Sequence, residues 1–209
     1  MAITYPLSIP NVARPKSISL RALNVVAVST SPFTLKQQVV QHQGQSWAAD
    51  INMPGMRRTN AEQFVAFLLS LKGQFGTFLL SPFPCVARGS AATAPGTPLV
   101  AGASQTGSVL VFDGAPASAI GYLKAGDFIQ LGASSSATLH KVLADVSSTV
   151  GGVVTVDIWP SIRNAPPDNS AVVVSSPAGL FRLASNETLW GIDDVAVYGI
   201  SFSAIEAIT

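Results

Sequence analysis

The sequence predicts a mainly β protein with one helix, built as a β-sandwich domain into which a small β-barrel or sandwich domain is inserted. Three observations carry this. Only one stretch, residues 60–72, has apolar residues at helical period. A string of short strand-like segments separated by turn residues runs from Ser108 to Ser176. The last patterned segment, Tyr198 to Ala204, alternates like a strand almost at the end of the chain, and a strand there needs a partner.

The elements follow in order. Residues 1–16 are interrupted by Pro6, Pro10 and Pro15 and read as an extended arm. Ile18 to Val28 is rich in β-forming residues and Pro32 ends it. Phe33 to His42 reads as a second strand, closed by a turn at Gln43-Gly44. Trp47, Ala49, Ile51 and Met53 then alternate with polar and small residues, as in a strand with one buried face. Pro54-Gly55 ends it and Met56-Arg57-Arg58 leads into the helix. Thr59 and Glu62 have the spacing of a capping box. Ala61, Phe64, Val65, Leu68 and Leu69 form the apolar stripe, with Lys72 in the last turn and Gly73 as C-cap. From Phe75 to Leu80 the period changes from helix to strand.

At Ser81-Pro82-Phe83-Pro84 the texture changes, and residues 88–108 read as a linker with one short strand at Leu99–Ala101. The next expected strands are 108–113, 127–132, 137–145, 152–160 and 170–176, with Asp127 as a turn residue. A Trp-bearing strand at 188–193 and the final strand follow. The N-terminal third lacks a closed core by itself. Residues 182–209 are therefore expected to return to residues 1–84 as one domain, with 85–181 inserted between them.

Composition narrows the function. Hydrophobic residues are 48% and charged residues 11%, against about 25% charged in an ordinary soluble chain; mean hydropathy is +0.41. No apolar run reaches the roughly 18 residues a membrane helix needs, because Pro95, Gly96, Pro98, Gly102 and Gly107 break the longest uncharged stretch. A subunit that buries much of its surface against other copies fits better, and no secretory signal or membrane insertion is expected. Charge is uneven: residues 1–84 hold seven Lys/Arg against two acids, while residues 182–209 hold Arg182 against Glu187, Asp193, Asp194 and Glu206.

No catalytic constellation is present. His42 and His140 lie on separate strands without metal-ligand spacing, and Cys85 has no nucleophile context. Asp193 and Asp194 are neighbours, so in a strand they face opposite sides. Phosphate-loop, dinucleotide and nucleophile-elbow motifs are absent. No enzyme activity, metal or cofactor is expected. Arg57 and Arg58 read as contact residues, and Trp47, Trp159 and Trp190 as core.

The segment QSWAADINMPGMRRTNAEQFVAFLLSLKGQFGTFLLSPFP, with LKAGDFIQLG, LHKVLAD, VDIWPSIRNAPPDNSAVVV, GLFRLASN and WGIDDVAVYGISFSAIEA, resembles the distal tail proteins of long-tailed, siphovirus-like bacteriophages. The resemblance covers most of the chain after about residue 45. It implies a tube-like β-sandwich ring domain with a helix on its sheets, forming a hexameric ring around the tail channel, and a second domain, galectin-like or OB-like, projecting outward. Such a ring joins the tail tube protein to the hub protein of the tail tip (baseplate) and lets DNA pass without specific binding. The expected protein is thus a structural virion component, made in the host cytoplasm. The insertion of the second domain departs from the usual arrangement and leaves other tail-tip subunits open. A head-to-tail ring contact suits a basic N-terminal part meeting an acidic C-terminal part, which makes Arg57, Arg58, Asp193 and Asp194 the candidate interface. The alternative is a carbohydrate-binding or adhesin module acting through the middle domain, with Trp159 and the following turn at 160–169 as the sugar contact.

Overall fold

The computed structural model describes residues 3–82, 86–193 and 196–208. The chain opens with β1 (Leu7–Ser8), β2 (Ser17–Thr30), β3 (Gln37–Asn52), β4 (Met56–Arg57), α1 (Arg58–Ser70) and β5 (Thr77–Leu80). A middle group follows: β6 (Leu99–Val100), β7 (Gly107–Asp113), β8 (Phe128–Leu131), β9 (Thr138–Val142), β10 (Val154–Ile162) and β11 (Val172–Val173). The chain returns with β12 (Gly179–Leu183), β13 (Trp190–Ile192) and β14 (Val197–Glu206).

The outer groups share one eight-stranded sheet in the order β1-β5-β12-β14-β3-β2, with β4 and β13 also paired to β14. The middle group makes a six-stranded sheet, β11-β8-β9-β10-β7-β6. Leu99 bridges to Ala171, so the two ends of this sheet meet and it is nearly closed. The protein is mainly β with a single α-helix among the described residues. The return strand begins at Gly179 and pairs with both β5 and β14. The first sheet thus reaches into the 85–181 block, and the expected boundary at 181/182 falls inside a strand.

Period-2 patterning builds the first core. Trp47, Ala49 and Ile51 of β3 face the same side as Ala204 of β14 and, further along the sheet, Phe181 and Leu183 of β12 and Phe78 of β5. Helix α1 packs Ala61, Phe64, Val65, Phe67 and Leu68 into this cluster. Burying those side chains contributes on the order of 10 kcal/mol before chain entropy is counted.

The helix differs from its expected form in three ways. It spans 58–70 rather than 60–72, so Lys72 lies beyond its last turn. The Thr59–Glu62 capping box does not form: Arg57 is the N-cap without a side-chain bond, and the Glu62 carboxylate instead accepts from Tyr198 Oη at 3.0 Å and pairs with Arg58 at 3.5 Å. Leu69 is exposed and Phe67 is buried in its stead. Past the helix, Lys72 and Gly73 both take positive φ, and a Cβ at Gly73 would sit 2.7 Å from Asn186 Oδ1, so only glycine fits there.

The turn expected at Gln43-Gly44 is also absent. β3 runs straight through it, and those residues lie at a bulge opposite Val25. The hairpin turn is instead at 31–36. In the second sheet, the strand expected at 170–176 is only two residues long. Asp127 behaves as a turn residue: buried, it accepts from the backbone N–H groups of Lys124 (2.9 Å) and Arg88 (3.1 Å).

Candidate functional site

The feature with no role inside the chain is the β2–β3 ribbon. β14 pairs with β3 only from Ala48 to Asn52, so towards the hairpin turn β2 and β3 have no ladder partner but each other among the described residues. At about 3.3 Å per residue the fourteen residues of β2 span about 45 Å, and the distal part stands clear of both sheets. Cross-strand partners share a face. Val28 with Val39 and neighbouring Val26 therefore line one face, and Ala27 with Val40 the other; these valines are all exposed. At the turn, Phe33 is 94% and Leu35 76% exposed. Between Ala22 and Trp47 only Lys36 and His42 can carry charge, and neither strand contains proline. A free β edge without charge or proline is a template for another strand.

The base of the ribbon is clamped to the second sheet. Trp47 is buried, and its indole N–H donates to the Leu139 carbonyl at 2.9 Å. Its ring meets Trp159 edge to face, with centroids 4.5 Å apart. The Trp159 indole N–H donates to Asn24 Oδ1 at 2.9 Å, and Ser161 N–H donates to Gln45 Oε1 at 2.7 Å. Arg163 grips Glu206 in a two-pronged pair, Nη1 to Oε1 at 3.0 Å and Nη2 to Oε2 at 2.7 Å, and Nη2 also donates to the Gln45 carbonyl. The second Glu206 oxygen also accepts the Trp47 backbone N–H at 3.0 Å. Beside this clamp, a groove of about 830 Å³ runs between β3 and the ends of β7 and β10, lined by Gln41, Gln43, Gln45, Thr106 and Ser161.

The residues expected to act are placed as follows. Arg57 pairs in register with Val197, and Asp193 Oδ1 accepts the Val197 N–H at 2.6 Å. Arg57, Arg58 and Asp193 thus share one corner of one chain. They form a single patch, whereas a head-to-tail contact needs two. Asp194 and Cys85 lie outside the described residues. Trp159 is half-buried, and both its ring and its N–H are engaged at the seam between the sheets. His42 is exposed on the ribbon, His140 is buried in the second sheet, and no metal-binding cluster occurs among the described residues.

Comparison with protein-family models gives no match, and comparison with curated proteins gives none.

Two features escaped the sequence reading. The ribbon had a signal: the adjacent pairs Val25-Val26 and Val39-Val40 put apolar groups on both faces of a strand, which a half-buried strand does not need. The Arg163–Glu206 pair, 43 residues apart, had none. Trp159→Phe keeps the ring contact and removes the bond to Asn24. It is expected to cost about 1 kcal/mol, read as a lower urea midpoint at unchanged slope; unaltered stability would show that the indole N–H is free in solution.

Proposed function

We propose that this protein is a non-enzymatic structural subunit that joins other copies head to tail through the β2–β3 ribbon, forming a ring at a phage tail tip. The ribbon carries the reading. It has two different open edges, that of β2 and that of β3. Pairing the β2 edge of one copy with the β3 edge of the next joins unlike patches, and repetition closes a ring. Closure converts all the ribbons into one barrel without edges and sets the exposed valines beside side chains of the neighbouring ribbons. The low charge of the chain fits the same explanation.

The resemblance to distal tail proteins supplies the setting: six copies, between the tail tube and the hub, in the virion. The ribbon carries neutral amides on both faces, Gln37 and Gln41 on one and Gln38 on the other, and whichever face lines the channel offers DNA few cations to hold its phosphates. A carbohydrate-binding role would need an aromatic platform other than Trp159.

Light scattering coupled to size exclusion tests the assembly. The expected mass is six times the 21.6 kDa of one chain, or a concentration-dependent series rising to it. A monomer at all concentrations up to the millimolar range would overturn self-assembly through the ribbon.

A further inference from the structure

The seam between the two sheets contains a second device, centred on His140. This residue is 4% exposed and sits on β9 between two fixed partners. Nδ1 lies 2.7 Å from the Pro160 carbonyl oxygen, which can only accept, so Nδ1 carries the proton. In the neutral ring Nε2 then has a lone pair, and the Thr138 hydroxyl, 2.9 Å away, donates to it. The neutral ring is fully satisfied.

A second proton has no good place. It would sit on Nε2, and the Thr138 hydroxyl would have to turn and donate to the Leu131 carbonyl at 3.4 Å, a long contact. The new charge would be buried and close to Arg163, the residue just past β10, whose charge acts on this ring. From the other elements, β8 opposes His140 with Ile129, β14 brings Glu206, already held by Arg163, and Lys141 of β9 sits over the Phe128 ring. Burial first, and Arg163 next among the opposing effects, lower His140 from 6.5 to about 4.

We propose that His140 is an acid-sensitive latch: protonating it opens the seam that joins the second sheet to the base of the ribbon, while each sheet stays folded. The neighbouring residues make this specific to the seam. Leu139 accepts the Trp47 indole N–H, and Pro160 lies between Trp159 and Ser161, which bond Asn24 and Gln45. Expelling the imidazolium displaces both strands that hold the ribbon's base. Because the closed form resists protonation, its advantage is complete above pH 6.5 and declines as pH falls towards about 4. The open fraction is expected to rise about 80-fold between pH 6.5 and 4.

Amide hydrogen exchange on the full chain reads this directly. After correction for intrinsic rates, protection of the Ser161 amide, which bonds Gln45 across the seam, is expected to fall about 80-fold between pH 6.5 and 4, while amides at the centre of each sheet hold. In His140→Gln, or His140→Asn if the first variant does not fold, seam protection is expected to be flat with pH apart from any change shared with the sheet centres. An equal fall in the variant, no fall in the wild type, or a loss common to all amides would overturn the latch.

Discussion

Glu206→Ala is expected to lower the stability of the folded protein by about 3 kcal/mol. The reason is what it leaves behind. Arg163 loses a two-pronged partner at 2.7 and 3.0 Å, and the Trp47 backbone N–H loses its acceptor. The carboxylate side chain is 3% exposed and that of Arg163 22% exposed, so water replaces the lost bonds poorly. Arg163→Met makes the complementary error, stranding a buried carboxylate. The double variant Arg163→Met/Glu206→Leu removes both charges and is expected to recover most of the loss, because an ion pair out of water barely repays its own desolvation. Urea denaturation of the four proteins closes the cycle. Singles that cost less than about 1 kcal/mol would show that the pair is solvated in solution.

Val28→Lys/Val39→Glu is expected to disrupt assembly without harming the monomer. The two residues face each other across the ribbon, so a Lys–Glu pair preserves cross-strand attraction within one copy. Both positions are exposed, and the unfolding midpoint of the single chain is expected to stay within about 0.5 kcal/mol of wild type. If ribbons pair edge to edge, each valine gains a neighbour across the new strand pair, and replacing both loses about 2 kcal/mol per contact, which raises the concentration needed for assembly by about 30-fold. The mass profile should shift to monomer at concentrations where the wild type assembles. Unchanged assembly would remove this ribbon face from the contact. Because the seam lies at the opposite end of the ribbon, acid opening at His140 should persist in this variant.

The ribbon and the seam also show how far the residues can be read without coordinates. Local periods were legible. The alternation of Trp47, Ala49 and Ile51 predicted a strand with one buried face, and the spacing of Phe64, Val65 and Leu68 predicted the helix, because side-chain direction follows directly from backbone repeat. The patterned end of the chain required a partner, which β14 has in β3 and β12. Helix ends were less legible. Glu62 had two possible partners, its own helix N-terminus or Tyr198, and the latter is 136 residues away. Gln43-Gly44 has the composition of a turn, yet the long pairing with β2 carries the strand through it.

By itself, then, the sequence determined the β class, the single helix, the return of the C-terminal strand and the low charge that a solitary subunit does not explain. Only the tertiary structure decided that β2 and β3 extend beyond the sheet with both edges open, that Trp159 belongs to a seam, and that Arg163, Glu206 and His140 gather there. The physical reason is range. Backbone periodicity is written within a few neighbouring residues, whereas an unpaired edge or a buried charge pair is defined by which distant segments come together and which do not.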